Sequence, residues 1–325
     1  VPKSVPYQSP NLAPRQYCNL RGTVSKEQLS GTAKLISFEL ATSIAYSISV
    51  AQEKEKLHSA DTNTITFLGT GGARFMIISQ ELSSGGLWFN LEGTEFMVDP
   101  GPGAIVRATA KKLNPENLDA IIVSHRHIDH AHDVNIMAEA MTRGGFRQHG
   151  RLFAPREALE DEPIILSYLR KRLESVETIA AGKTFTLGNI TFSTPVRHIH
   201  GAENYGMVFK TEKCTIAYIT DTRYFSDLPK YYKGDLLLLN VVFVRPFTDE
   251  EARANNMPID HLSVPDVERL VNEIKPKIAI MTHFGMGIWR ANPTLIAEQL
   301  TQKTGIKILA ARDGMTFHLS ELDCV

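Results

Sequence analysis

Cysteine is scarce in this chain. Only Cys18, Cys214 and Cys324 occur, far apart and odd in number. No CxxC pair exists, so neither a disulfide framework nor a cysteine-based zinc site is expected, and free thiols point to a reducing, cytoplasmic setting. An excess of one charge is also missing. Lys and Arg total 35 against 36 Asp and Glu, a formal net charge of −1. That balance gives no electrostatic footprint of a dedicated nucleic-acid binder, and nucleic acid is not expected as a partner. Long uncharged apolar runs are absent as well. The most apolar early stretch, residues 33–51, carries Lys34, Glu39 and many hydroxyl side chains, which argues against a membrane span. Residues 1–8 hold no basic region followed by an apolar core, so no secretory signal is read there. No short-period repeat or low-complexity tract is visible.

What is present describes an ordinary globular chain. It has 325 residues, 43% of them hydrophobic and 22% charged, enough to bury a substantial core. Pro2, Pro6, Pro10 and Pro14 break the first stretch into an irregular lead. Ser25 then reads as an N-cap, and Leu29, Ala33, Ile36, Leu40, Ile44, Ile48 and Ala51 step by three or four, the stripe of an amphipathic helix. Residues 1–62 are read as an N-terminal extension whose stripe packs on the main domain or on a second subunit. Residues 63–325 are read as one domain.

From Asn63 the texture changes to strands. Residues 64–68, 88–90 and 95–98 read as strands, 105–113 as helix and 118–124 as a strand buried on both faces. Further strands are expected at 190–196, 205–210, 215–219, 235–244, 277–281 and 315–319, with helices at 265–274 and 293–304. This alternation predicts two sheets packed face to face with helices outside.

The buried strand ends in Ser124-His-Arg-His-Ile-Asp-His130. Three histidines and an aspartate within six positions, at the loop beyond a rigid strand, can converge on one point. Imidazole nitrogens and carboxylate oxygens suit zinc, with manganese or iron as alternatives. The spacing lets His125 and His127 hold one ion while Asp129 and His130 turn toward a second. His132, Asp133, His149 and His58 are read as solvated or supporting. Asp99, in the turn Asp-Pro-Gly-Pro-Gly103, is a candidate partner for a ligand histidine. Arg74 and Arg312-Asp313-Gly314 stand between substrate contact and structural ion pair.

The pattern His125-x-His127-x-Asp129-His130 resembles the signature of the metallo-β-lactamase superfamily, and the resemblance covers residues 64 to about 318. It implies an α/β fold, a four-layer αββα sandwich, and two divalent metal ions, zinc by default. It implies further ligands at strand ends: His200 after the strand 190–196, with His198 as the other choice, Asp221 bridging after 215–219, and His283 after 277–281. His200 is preferred because His200-Gly201 and Gly206 match the family's order of ligand, short loop, glycine and strand. His261, in Asp260-His-Leu-Ser263, resembles the phosphodiesterase branch that includes RNase Z and the cyclic ribose-phosphate phosphodiesterases. There the equivalent histidine meets the phosphate and protonates the leaving oxygen. Asp129 and His261 are thus the expected catalytic groups. The substrate is expected to be a small phosphodiester, cyclic phosphate or nucleotide. Lactone or thioester hydrolysis by the same fold, or metal binding without turnover, are the other readings. The transfer-RNA-gripping arm of RNase Z is not recognised here. The habits of that branch, with the stripe at 29–51, favour a homodimer.

Overall fold

The computed structural model describes residues 63–254 and 260–322. The expected N-terminal extension, 1–62, and its helical stripe lie outside the described residues. Among those that are described, no helix is long and apolar enough to cross a membrane.

Six strands come first: β1 (Thr64–Phe67), β2 (Leu87–Leu91), β3 (Thr94–Val98), β4 (Ala120–Ile122), β5 (Arg151–Pro155) and β6 (Ser175–Ile179). They are followed by β7 (Lys183–Leu187), β8 (Ile190–Thr194), β9 (Met207–Lys210), β10 (Thr215–Ile219) and β11 (Leu236–Phe243). The last four are β12 (Leu262–Ser263), β13 (Ile278–Thr282), β14 (Lys307–Ala310) and β15 (Thr316–His318). One sheet runs β15-β1-β2-β3-β4-β5-β6, the other β14-β13-β11-β10-β9-β8-β7, with β12 paired to β11. Parallel pairing joins β3, β4, β5 and β6 in the first sheet. It also joins β10, β11, β13 and β14 in the second.

The layering follows from the period-2 alternation of side chains along each strand. Leu236 and Leu238 of β11 join the core between the sheets, with Phe89, Phe96, Phe192 and Phe209. Their neighbours Leu237, Leu239 and Val241 face the other way, onto Val267, Leu270 and Val271 of the helix Val264–Ile274. The first sheet repeats the logic. Phe96 and Val98 point inward. Met97 points outward to Ala104 and Ala108 of one helix and to Met137 and Met141 of another. Helix, sheet, sheet, helix is therefore the order of layers, and the expected αββα sandwich is what the chain forms. Phe89 stacks on Phe96 at 4.8 Å between ring centres. Phe209 lies 5.1 Å from each, bridging the two sheets.

Most expected elements are present with ends shifted by a few residues. The strand read over 118–124 is shorter, Ala120–Ile122, although Leu118, Val123 and Ser124 are buried too. The strands β5, β6, β7, β12 and β14 and several short helices were not expected.

Candidate metal centre

Every candidate ligand follows the carboxyl end of a strand or precedes a short one. The loop after β4 carries His125, His127, Asp129 and His130, and the last two lie in a single helical turn, Ile128–Ala131. His200 follows β8, Asp221 follows β10 and His283 follows β13 directly. His261 precedes β12, and the helix after β12 is fixed by a capping box: Ser263 N–H donates to Asp266 Oδ2 at 2.8 Å. Crevices at the carboxyl ends of strands are where open α/β sheets place ligands.

These residues converge in two clusters. In the outer one, His127 Nδ1 lies 3.0 Å from His125 Nε2 and 3.1 Å from His200 Nε2. In the deep one, His130 Nε2 lies 3.0 Å from His283 Nε2 and 3.2 Å from Asp221 Oδ2. Asp129 Oδ2 lies 3.3 Å from His283 Nε2. Asp221 connects the clusters, because the same Oδ2 is 3.9 Å from His125 Nε2. It is also 3.6 Å from His261 Nδ1, which grouped with His200 and Asp221 makes a third set of donors.

The donor set fits divalent metal. Bonds of 2.0–2.1 Å at tetrahedral angles put two ligand nitrogens about 3.3 Å apart, close to the spacing of these nitrogens. The far nitrogens fix the tautomers. His200 Nδ1 donates to the Asp260 carbonyl at 3.1 Å, so its Nε2 presents a lone pair. His125 Nδ1 pairs with Ser124 Oγ at 2.9 Å, and that hydroxyl donates to Asp99 Oδ2 at 2.7 Å. His130 Nδ1 lies 2.9 Å from the same Asp99 oxygen. One buried carboxylate therefore orients a histidine in each cluster, the part suggested for it by its turn. Asn240 donates to Asp221 Oδ1 at 2.8 Å, and the Ala73 N–H donates to Asp129 Oδ2 at 3.1 Å.

Electrostatics agrees with this chemistry. Burial, with the neighbouring His130, holds the His125 imidazole well below its usual range, and burial with His200 brings His127 down to about 4. Both imidazoles are neutral at physiological pH, the form in which a histidine can hold a metal. Burial would raise Asp221, but His283, His130 and His261 outweigh it and hold the carboxyl well below the usual range. Burial would lower His130, yet Asp129, Asp221 and Asp99 raise it. The deep cluster is a place that attracts positive charge.

Backbone shape is specialised at two points. His283 adopts φ +59°, a left-handed conformation uncommon outside glycine. Its ring covers Gly72, where a Cβ would come within 2.1 Å of the imidazole. Glycine is required there by the position of the His283 ring.

The two histidines that the sequence offered after β8 separate cleanly. His200 enters the outer cluster. His198 is buried behind Asp221, with Nε2 2.6 Å from Tyr232 Oη and Nδ1 3.2 Å from the Asp221 carbonyl. It braces the Asp221 backbone. His132 pairs with Asp133 at 2.8 Å and His149 with Glu174 at 3.4 Å, and neither joins a cluster. Arg74 is exposed at the start of the helix Arg74–Ser79. Asp313 is structural: it accepts from Thr70 N–H, Thr70 Oγ1 and Ser83 N–H at 2.7–2.9 Å, pinning the glycine turn beside the site. Asn240 was missed, although a lone amide in the run Leu-Leu-Leu-Leu-Asn-Val-Val is itself a signal of a buried polar role. At the mouth, Phe243 lies 5.8 Å from the His261 ring, and Phe247 lies 4.9 Å from Phe243.

Residues 94–284 match the family described as the beta-lactamase superfamily domain. The uncharacterized protein MJ1374 of Methanocaldococcus jannaschii is 31% identical over 264 residues, covering 78% of this chain and 94% of that one. Exodeoxyribonuclease WalJ of Streptococcus pneumoniae is 30% identical over 165 residues, 48% of this chain and 56% of its own length. The solved metallo-beta-lactamase fold protein YhfI from Bacillus subtilis is similar in fold, with TM-score 0.64 and 19% identity, over 79% of this chain and all (100%) of that one.

Proposed function

Since the chain belongs to the beta-lactamase superfamily, we propose that it hydrolyses a small phosphodiester, cyclic phosphate or nucleotide with the help of two divalent ions. His125, His127 and His200 would hold one ion. Asp129, His130 and His283 would hold the other, with Asp221 between them. When bound, such ions supply Lewis acidity, bringing the pKa of water from 15.7 down toward about 7 and neutralising charge that builds on phosphate oxygens.

The observation that carries the phosphodiester reading is His261. Its ring is buried beside Asp221 yet belongs to neither main cluster, and its Nδ1 has no hydrogen-bond partner. A ring nitrogen left unpaired beside the Asp221 carboxylate marks His261 as a group whose partner would be supplied by what enters the site. There His261 would contact the phosphate and deliver a proton to the leaving oxygen. Asp129, fixed by the Ala73 N–H, would orient the attacking water. Phe243, edge-on to the His261 ring at 5.8 Å between centres, would offer a base an apolar contact beside the site. The similarity to an exodeoxyribonuclease points to the same bond type.

The test compares thymidine 5′-(p-nitrophenyl) phosphate with p-nitrophenyl acetate and a simple lactone. The expected outcome is diester cleavage that chelator abolishes, and that His261→Ala lowers about a hundredfold or more while both ions stay bound. Cleavage of the ester or lactone alone, unaffected by His261→Ala, would move the protein to carbonyl chemistry.

A further inference from the structure

Resting on the two-ion reading of the site, we propose that Glu157 is a positioning residue for the outer cluster and decides whether that cluster retains its ion. Arg126 stands between the ligands His125 and His127, and its Nε donates to Glu157 Oε1 at 2.8 Å. The other oxygen, Glu157 Oε2, accepts the backbone N–H of Glu203 at 2.5 Å, three residues beyond His200. The contact is reciprocal, because the Glu157 N–H donates to Glu203 Oε2 at 2.9 Å, and Tyr205 Oη holds the remaining Glu203 oxygen at 2.8 Å. One carboxylate thus spans the two loops that carry all three outer histidines.

The carboxylate sits at the start of a π-helical turn, Glu157–Asp161, a geometry that is rare and recurs at functional sites. Isolated surface ion pairs contribute little, but here Glu157 is also tied to the main chain of Glu203, and Arg126 is held by a second carboxylate, Glu162, at 2.8 Å. Its position transmits directly to His127 and His200, and ligand geometry tolerates displacements of only about 0.5 Å. The deep cluster shares the loop of Arg126 through Asp129 and His130, but it has anchors of its own. Asp99, Asn240 and the Ala73 N–H hold it, all at other points of the fold. Arg126 and Glu157 are 25% and 24% exposed, so solvent ions reach them. The outer ion is therefore the one whose retention responds to ionic strength.

The experiment is titration of the metal-free full chain with zinc, read by calorimetry and by competition with a chromophoric chelator. The wild type is expected to take two equivalents. Glu157→Gln should leave one equivalent unchanged and weaken the other about 10- to 100-fold, the usual effect of losing a group that orients a ligand. Arg126→Met should do the same, and it keeps the test readable should Glu157→Gln fail to fold. Raised ionic strength should loosen the same equivalent in the wild type. Two unchanged affinities in the variants, or equal weakening of both, overturns the inference while leaving the two-ion reading intact. A wild type that takes fewer than two equivalents overturns that reading and the inference with it.

Discussion

The two clusters share Asp221 but are supported in different ways. His130 and Asp221 of the deep cluster are 2% exposed in their side chains, and His283 and Asp129 are each 9% exposed. They are held by buried groups: Asp99, Asn240, a backbone N–H and the glycine that makes room for His283. In the outer cluster only His125 is fully buried, and His127 and His200 sit on loops fastened to each other by a half-buried ion bridge. A ligand set can thus be fixed by a rigid core or by a tether between loops. The first is insensitive to solvent, and the second is adjustable.

The strongest way to break this contrast is at the shared residue. Asp221→Ala removes a donor from both clusters and should cost several kcal/mol of stabilisation at the reacting centre, on the order of a thousandfold or more in kcat. Both equivalents should weaken together in a zinc titration. Loss of only one would show that Asp221 serves a single ion. Gly72→Ala is next. Its Cβ would collide with the His283 ring, and overpacking of this kind costs about 1–3 kcal/mol. Thermal unfolding should register that loss, and the deep equivalent should weaken while the outer one holds. Asp99→Asn should have a smaller effect, about 10- to 100-fold in affinity. It sharpens the comparison because Asp99 reaches His130 directly and His125 only through Ser124. The deep equivalent should suffer more, and an equal loss would mean that the serine relay is as stiff as the direct contact.

What could be read from sequence follows the range of the interactions. The motif at 125–130 is local, so its spacing alone announced the site. The inner strands announced themselves by hydrophobic runs, β11 above all, because burial on both faces leaves no polar alternation to misread. By contrast β6 and β7 end their sheets. Their residues are half-buried or exposed except for Ile179 and Leu187, and such edge strands lack the pattern that identifies a buried one. Short helices such as Ser167–Arg170 span one turn and have no room for a periodic stripe. Ligands beyond the motif came from family resemblance, since nothing in the sequence alone ties His200 to His127, 73 positions earlier. The Glu157–Glu203 bridge joins residues 46 positions apart and leaves no local trace. Asp99 was legible as a turn residue, while its contact with His130, 31 positions on, and its relay through Ser124 to His125 needed the fold.

His130 and His283 meet at 3.0 Å although 153 positions of chain separate them, one behind a strand of the first sheet and the other behind a strand of the second. Anything that bonds to both closes a very long loop. Closure of such a loop restricts the unfolded chain, and a ligand that binds only the folded form adds its binding free energy to folding. Loaded with the proposed ions, the centre would therefore also be a clasp between the halves of the sandwich.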